Sequence, residues 1–276
     1  SRRVAPWSSR DAAPCPPEFI EFAGHLADAA GKVVRQYFRQ PFEIITKADE
    51  SPVTIADREA ERVMRELIEA TYPEHGILGE EHGTVRGDAE YVWYLDPIDG
   101  TKSFISGIPL FGTLIGLAKK DGDIHRPWMG VIDQAVSGER WIGAPGHGTT
   151  FNGQPTHVRR CPSVADATLF TTSPEYFLGD RLEKYQRVED TAHLTRYGTD
   201  CYAFAVLSSG HIDLIVEAGL NVYDYCAVVP VIENAGGIVT DWQGNPKILD
   251  DENTIVAAGD AATHAETLKL LAGQVP

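Results

Sequence analysis

Residues 93–101 carry the sequence WYLDPIDGT, which decides how the rest of the chain is interpreted. The aromatic residues before Asp96 predict a buried strand, and Pro97 cannot continue its hydrogen-bonded ladder. Asp96 and Asp99 are therefore expected at the end of a strand, facing into a crevice. In proteins Mg²⁺ prefers one or two carboxylates together with water and phosphate oxygens. The stretch thus predicts a site for a hard cation and a phosphate group.

The Gly100-Thr101 pair at the end of this stretch can open a helix. On that interpretation, the free backbone N–H groups from Gly100 onward receive a phosphate at the helix N-terminus. A plainer interpretation is a strand followed by a polar turn, because Asp-Pro and Asp-Gly are common in loops. Taken alone, the stretch leaves both interpretations open.

Two further acidic segments lie where additional metal ligands would be needed. Glu80 follows the apolar pair 77–78 and precedes Gly83, which is typical of a short strand that ends in a loop. Asp224 precedes the apolar segment 227–232, which predicts a buried helix with a glycine C-cap. Each acid also has a plain alternative, Glu80 as a solvated loop residue and Asp224 as a first-turn acid that complements the helix dipole.

Together these segments resemble the two signature motifs of the inositol monophosphatase family of Mg²⁺-dependent, Li⁺-sensitive phosphatases. The resemblance extends over residues 27–259 and includes the Val-Thr-x-x-Asp element at 53–57 and the phosphate-side pair Gly198-Thr199. One departure is Tyr223, where the family usually has Trp before the last metal-binding Asp. A bulky aromatic residue is retained, so the resemblance still implies the same chemistry.

The resemblance implies a five-layer αβαβα sandwich, a homodimer and a site between two lobes. The number of carboxylates suits two or three Mg²⁺ ions, and adjacent ions can clamp both the attacking and the leaving oxygen of an in-line displacement. The expected metal ligands are Glu80, Asp96, the backbone carbonyl of Ile98, Asp99 and Asp224.

No covalent nucleophile is required in this scheme. A metal-activated water is expected to attack phosphorus in line, oriented by the catalytic residues Thr101 and Asp57 or Glu80. The plain alternative for Asp57 is an acid that only complements the dipole of the helix it opens. The residues expected to bind substrate are Gly100, Thr101, Gly198, Thr199, Asp200, Glu217 and Asp224.

Within the family, residues 100–105 and 109–115 look most like the histidinol-phosphate phosphatase branch, whereas inositol-specific members more often read Gly-Thr-Thr-Asn-Phe. Asp200 is the more physical clue, because inositol phosphatases resemble one another in having a small apolar residue there. Histidinol phosphate carries an ammonium and an imidazole, so Asp200 and Glu217 can pair with positive charge opposite the phosphate. Asp200 could instead cap a helix over 201–207.

The sequence therefore predicts a phosphomonoester hydrolase that acts on L-histidinol phosphate in histidine biosynthesis. One alternative is an inositol monophosphatase, or another sugar-phosphate phosphatase with the same chemistry. A second alternative is a non-catalytic module that binds metal or phosphate. The clustered acids argue against this module, because their mutual repulsion destabilises a fold unless they are used.

The composition agrees with an enzyme whose partner is a small-molecule phosphate ester. Of the 276 residues, 43% are hydrophobic, enough for a substantial core. No run approaches the roughly 18 apolar residues that span a bilayer. The net charge of -16 opposes binding to nucleic acid or to an anionic membrane. The four cysteines lack C-x-x-C spacing and are expected to be free thiols in a reducing compartment.

Residues 1–17 differ from the rest because they are rich in Arg, Ser, Ala and Pro and contain a single acid. A disordered arm is expected there, weakly similar to the remainder of a transit peptide. Because the apolar segment of a secretory signal is missing, we expect a cytoplasmic location, with the plastid stroma as the alternative. Residues 18–150 are expected to form an α+β lobe and residues 151–276 an α/β lobe, packed as one phosphatase unit.

Hydrophobic spacing predicts the elements of both lobes. The first lobe is expected to contain two amphipathic helices, one from residue 18 to before Pro41 and one over 56–68. An antiparallel meander is expected to follow over 111–118, 128–132 and 140–142. In the second lobe, strands are expected at 168–172, 212–217, 237–240 and 254–257, and helices at 200–208, 225–234 and 261–271.

Overall fold

The structure is a computed structural model that describes residues 5–40, 44–46 and 52–274. The side chains of residues 44–46 and 52–54 lie outside this description. The predictions for residues 1–4 and for the side chains of the 53–54 pair therefore also lie outside it.

Two amphipathic helices open the fold. They and the short antiparallel strand pair between them are α1 (Pro17–Tyr37), β1 (Ile44–Thr46), β2 (Pro52–Thr54) and α2 (Ile55–Thr71). Apolar residues three and four apart give each helix one buried face, with Phe19 and Leu26 on α1 and Met64 on α2. Both predicted helices are confirmed.

An eight-stranded sheet packs against these two helices. Its elements, with a short helix after the third strand, are β3 (Gly76–Gly79), β4 (Gly83–Val85), β5 (Tyr91–Asp99), α3 (Thr101–Ile105), β6 (Gly112–Asp121), β7 (Ile124–Gln134), β8 (Glu139–Ala144), β9 (Gly148–Phe151) and β10 (Gln154–Thr156). Their spatial order is β10-β9-β8-β7-β6-β5-β3-β4, and only β3 and β5 pair in parallel. Strands β6 to β8 form the predicted antiparallel meander.

The second half of the chain builds a five-stranded mixed sheet and its helices. These elements are β11 (Thr168–Thr171), α4 (Arg181–Thr191), β12 (Leu194–Tyr197), α5 (Cys201–Ser208), β13 (Leu214–Glu217), α6 (Val222–Tyr225), α7 (Val228–Asn234), β14 (Ile238–Thr240), β15 (Ile255–Ala258) and α8 (Ala261–Leu271). The strand order is β12-β11-β13-β15-β14, with β11 parallel to both of its neighbours.

The five layers follow from the positions of the helices. Helices α5 and α7 are apolar around almost their whole circumference and are buried between the two sheets. Helices α4 and α8 cover the outer face of the second sheet, as α1 and α2 cover that of the first. The predicted αβαβα sandwich is confirmed. The first sheet continues to Thr156, so the two sheets divide after that residue and not at residue 150.

The described part of the N-terminal arm is packed on the protein, so the prediction of disorder is wrong for residues 5–17. Ser9 is fully buried; its hydroxyl donates to the Trp128 carbonyl oxygen (2.5 Å) and accepts from Asn234 Nδ2 (2.9 Å). The amide of Cys15 donates to the Pro145 carbonyl oxygen (2.9 Å). Polar contacts hold this segment, and they leave no hydrophobic periodicity in the sequence.

Two further elements differ from the prediction. The single helix expected over 225–234 is two helices, α6 and α7, so Asp224 lies near the end of α6 and not at the start of a longer helix. Helix α4 was not predicted because Tyr185 and Val188 are its only buried residues. Among the described helices, none is both long and apolar enough to cross a membrane.

Candidate metal and substrate site

Strand β5 brings Asp96 and Asp99 to one end of the first sheet. The strand continues past Pro97 to Asp99 by means of an irregularity in its pairing with β6, so the ladder does not end where the sequence suggested. Within this irregularity, the Thr113 hydroxyl donates to the Pro97 carbonyl oxygen (2.8 Å). The bulge turns the two carboxylates toward the second half of the chain.

Gly100 makes the turn from β5 into α3. Its φ of 93° lies in the left-handed region that glycine adopts without strain. A Cβ at this position would lie 3.1 Å from Asp200 Oδ2 and 3.1 Å from the Phe111 Cβ. The glycine therefore serves both the turn and the close approach of Asp200.

Asp96, Asp99 and Asp224 meet in one cluster, with one oxygen of each within 4.8 Å of the others. Asp224 is contributed by α6, where its carboxylate accepts a hydrogen bond from the Asn221 amide (2.8 Å) and closes a capping box. This local bond fixes the carboxylate that arrives from the most distant part of the sequence.

The cluster has no positive charge of its own. Burial and then the Asp99 charge raise the pKa of Asp96 well above its ordinary value. Burial and the Asp224 charge raise the pKa of Asp99 to about 7, and burial raises that of Asp224 to about 6. Asp96 Oδ1 is buried and has no hydrogen-bond partner among the described residues. A divalent cation fits this donor set, because it supplies the positive charge that the three carboxylates lack and a partner for Asp96 Oδ1.

Four further residues that the sequence predicted as ligands or catalytic groups lie around the cluster. They are Asp57, Glu80, Ile98 and Thr101. The Thr101 hydroxyl donates to the Ile98 carbonyl oxygen (3.2 Å). Glu80 follows β3 directly and lines the adjacent cleft. Asp57 lies in the first turn of α2 and is 2% exposed. The charges of Glu80 and Asp57 both raise the pKa of Asp96, so both carboxylates lie near the cluster.

A cleft of about 290 Å³ opens beside these residues. One wall carries the predicted residues Gly100, Thr101, Gly198 and Asp200. Predicted residue Thr199 lies between Gly198 and Asp200, and its hydroxyl is buried without a partner in the described part of the chain. Tyr223 directly precedes Asp224 in α6, and burial and the Glu80 and Asp224 charges raise its pKa.

Asp200 has an unusual backbone conformation, and its side chain does not cap the helix that follows it. Its φ of 47° is positive, which is uncommon for a residue other than glycine and marks local strain. Its side chain makes no capping bond to α5, so the helix-cap alternative is wrong. Instead, Asp99 Oδ2 accepts from the first amide of that helix, Cys201 N, at 2.8 Å. Burial and the Asp99 charge raise the pKa of Asp200 to about 7.

Glu217 lies at the end of β13, but it does not line the cleft. Its buried carboxylate accepts from the Thr172 amide (2.7 Å) and the Thr172 hydroxyl (2.8 Å). Burial raises its pKa to about 8. Glu217 is therefore not placed for the direct substrate contact that the sequence suggested. It instead accepts hydrogen bonds from Thr172, which lines the cleft.

A second wall of the cleft was missed by the sequence interpretation. It consists of Lys102 and the segment 172–176, with Lys102 Nζ donating to the Tyr176 hydroxyl (2.9 Å) and 3.7 Å from Glu175. The Ser173-Pro174 pair could have indicated this wall from the sequence, because a Ser followed by Pro is typical of a helix start. Ser173 caps a single turn of 3₁₀ helix over Pro174–Tyr176. This turn projects Glu175 and Tyr176 toward the cleft.

Comparisons with known proteins agree with this fold and identify the family. The chain matches the inositol monophosphatase family over residues 16–275. The Arabidopsis thaliana protein named bifunctional phosphatase IMPL2, chloroplastic, is 47% identical over 262 residues, which cover 92% of this chain and 75% of the relative. The histidinol-phosphatase of Chlorobaculum parvum is 35% identical over 240 residues, which cover 86% and 91% of the two chains.

A solved structure gives the same result for the fold. The structure of an inositol monophosphatase from Zymomonas mobilis superposes with a TM-score of 0.84 at 42% identity, covering 93% of this chain and 98% of that one. The family resemblance predicted from the sequence motifs is confirmed. This chain is a phosphatase of the inositol monophosphatase family.

Proposed function

We propose that the protein hydrolyses L-histidinol phosphate in a metal-dependent reaction. The observation that carries this proposal is the Asp200 carboxylate, which lies beside Gly100 in the cleft and is not engaged in capping α5. An anionic group at this place suits a substrate that presents positive charge beyond its phosphate. The Chlorobaculum parvum relative, named histidinol-phosphatase, supports the same substrate.

The acidic cluster is the proposed place for Mg²⁺. Asp96, Asp99 and Asp224 would hold the ion, with Glu80 and the Ile98 carbonyl completing a set for two or three ions. Bound there, the ion supplies positive charge for the phosphoryl oxygens and lowers the pKa of a water.

The protein's own groups position the reactants. The Thr101 hydroxyl donates its proton to the Ile98 carbonyl oxygen. Its oxygen lone pairs therefore remain to accept a hydrogen bond from a water in the cleft. Asp57 and Glu80 provide further acceptors for that water's protons. The Cys201 amide holds Asp99 in one orientation, which connects α5 to the cluster. Such preorganised polar groups are usually the main source of catalysis in phosphoryl transfer.

The role proposed for Asp200 is recognition of the substrate cation. Its pKa of about 7 belongs to the protein without a cationic ligand. An ammonium or imidazolium nearby favours the ionised carboxylate and lowers this pKa. Ionising Asp200 on substrate binding would therefore cost little free energy. The carboxylate would then favour a phosphate ester with a cationic alcohol part over a sugar phosphate, whose alcohol part is uncharged.

The second candidate is an inositol monophosphatase or a related sugar-phosphate phosphatase. It is favoured by the 42% identity to the Zymomonas mobilis protein, whose structure is described as that of an inositol monophosphatase. The metal cluster and Thr101 would serve this substrate equally well. Only the substrate side of the cleft separates the two candidates.

The Asp200→Asn variant tests the choice, because Asn tolerates positive φ and keeps the side-chain shape. We expect the KM for histidinol phosphate to rise by about tenfold or more, as a lost charged hydrogen bond is worth about 1.5–3 kcal/mol. The KM for inositol 1-phosphate should stay within about twofold. Asp180→Asn, an exposed acid outside the cleft, is the matched control. Equal effects on both substrates would overturn the substrate assignment.

Three properties implied by the family resemblance remain predictions. Mg²⁺ should restore activity to chelated protein, Li⁺ should inhibit the restored enzyme, and sedimentation should give the mass of a homodimer. The plastid alternative for location is supported by the relative named chloroplastic and is tested by imaging a tagged full-length protein.

A further inference from the structure

Glu61 is a buried carboxylate on α2 that the proposed reaction does not use. Its side chain is fully buried, and it lies one helical turn after Asp57, on the same face of the helix. Burying a carboxylate is costly unless hydrogen bonds and a counter-charge replace its lost hydration. The partners of Glu61 therefore indicate what its burial achieves.

Those partners belong to the turn that carries Glu80. This turn joins β3 to β4 over residues 80–82. One oxygen of Glu61 accepts from the Glu81 amide (2.9 Å), and the other accepts from the His82 amide (2.8 Å). Hydrogen bonds to an ionised acceptor are stronger than those between neutral groups. The two bonds therefore fix the backbone directly after Glu80.

Gly79 makes room for this carboxylate on the other side of Glu80. A Cβ at Gly79 would overlap the carboxylate of Glu61, so glycine is what lets this group approach the end of β3 so closely. Glu80 therefore lies between the residue that admits Glu61 and the two amides that bind it. The contacts of Glu61 thus flank a single predicted metal ligand, and this arrangement carries the inference.

Two further contacts from α2 hold the same turn. Arg65 Nε donates to Glu61 (2.9 Å), which balances the charge of the carboxylate, and Arg65 Nη2 donates to the Gly83 carbonyl oxygen. His82 Nε2 lies 3.0 Å from the Arg58 carbonyl oxygen. The backbone after Glu80 is therefore attached to α2 along its whole length as far as β4.

We propose that Glu61 is a positioning residue for the metal site, because it fixes the backbone from which Glu80 reaches the acidic cluster. Asp57 and Glu61 leave α2 on one face, so the helix holds Asp57 directly and Glu80 through the turn. Both of these carboxylates lie near Asp96. Ligands that are already ordered bind a metal more tightly, since little free energy is lost in ordering them. This inference rests on the proposed binding of Mg²⁺ at the cluster.

The alternative role for Glu61 is stability alone, as a buried acid whose charge Arg65 balances. The two roles differ in what a substitution changes. A residue that only stabilises the fold changes the free energy of unfolding and leaves the metal affinity of the folded protein as it was. A positioning residue changes that affinity, because the ligand beside it is no longer held in place.

Glu61→Gln tests the contact, because it keeps the side-chain shape but turns an NH₂ group toward one of the two backbone donors. In metal-free full-length protein, the Glu81 or His82 amide that loses its acceptor should exchange its hydrogen at least about tenfold faster. Calorimetric titration with Mg²⁺ alone should give a Kd about tenfold higher than in wild type. Glu66→Gln, which alters an exposed ion pair on the same helix, is the matched control and should change neither value.

Gly79→Ala tests the same contact from the other side, because its Cβ would displace the Glu61 carboxylate. We expect the same weakening of Mg²⁺ binding, with the fold of each variant verified by circular dichroism. An unchanged Mg²⁺ affinity in either folded variant, whatever its free energy of unfolding, would overturn the inference. Wild-type protein that bound no Mg²⁺ would contradict the proposed metal site itself, and the inference would fall with it.

Discussion

The protein buries two kinds of aspartate, and their surroundings differ in one respect. Asp213 accepts from Arg159 Nε (2.7 Å), from Arg159 Nη2 (2.9 Å) and from the Thr168 amide (2.9 Å). Asp96 is equally buried, but its neighbours are other carboxylates and one of its oxygens has no partner in the described residues. The charge of Asp213 is balanced within the chain, whereas that of Asp96 is not.

This difference separates an acid that stabilises the fold from one that awaits a ligand. A buried charge is tolerated when a counter-charge and hydrogen bonds compensate its lost hydration. Arg159 and Asp213 meet that requirement inside the protein. The cluster of Asp96, Asp99 and Asp224 does not meet it with groups of the described residues, and the proposed cation would supply the missing charge.

The largest expected effect is that of Asp99→Asn on catalysis. Removing one metal carboxylate should lower kcat/KM by about 10²–10³-fold, the loss typical of one preorganised electrostatic group. Urea unfolding of metal-free protein should show no loss of stability, because the variant also removes repulsion within the cluster. Full activity in steady-state assays would contradict the role of the cluster.

The complementary change is Asp213→Asn. We expect a loss of about 2 kcal/mol in the free energy of unfolding, since two charged hydrogen bonds to Arg159 are weakened. Activity per folded molecule should be unchanged. Asp28→Asn, which breaks a more exposed ion pair with Arg140, is the control and should cost less than about 1 kcal/mol. If Asp213→Asn altered kcat without altering urea unfolding, the distinction between the two kinds of aspartate would be lost.

The pH dependence of stability should differ between wild type and Asp99→Asn. In the folded, metal-free protein the pKa values of Asp99 and Asp200 are raised to about 7, above the value of about 3.9 for an unfolded Asp. The folded state binds more protons between these values, so stability falls as pH rises from about 4 to about 7. Thermal unfolding should therefore show the variant gaining on wild type over this range. A variant that loses stability relative to wild type as the pH rises over this range would contradict the account.

The smallest effect is expected for Glu217→Gln. Glu217 holds Thr172 and does not line the cleft, so the KM for histidinol phosphate should change much less than in Asp200→Asn. The substitution should cost about 1 kcal/mol of stability, the value of an altered buried hydrogen bond. Equal KM effects of Glu217→Gln and Asp200→Asn would return Glu217 to the substrate-contacting group.

The sequence predicted the Asp96–Asp99 pair because its geometry is local, whereas Asp224 was assigned to the cluster through the family resemblance. Asp96 and Asp99 are three residues apart beside Pro97 and Gly100, and these residue types restrict the backbone. Helices α1 and α2 followed from hydrophobic periodicity, since each presents one apolar face, whereas the αβαβα layers followed from the family resemblance.

The features that could not be predicted depend on contacts between distant residues. The amide that holds Asp99 belongs to Cys201, and the donors that occupy Glu217 belong to Thr172. Ser9 is buried through single hydrogen bonds to β7 and α7, which leave no periodic pattern. Helix α4 has too few apolar residues to reveal itself.

Phosphate release from L-histidinol phosphate, with inositol 1-phosphate in parallel, tests the central claim most directly. Each substrate would be assayed with Mg²⁺, after chelation, and with Asp99→Asn. Our account predicts rapid release from histidinol phosphate that requires Mg²⁺ and Asp99, with inositol 1-phosphate the poorer substrate. Release that persists after chelation would contradict the metal site, and a strong preference for inositol 1-phosphate would contradict the proposed substrate.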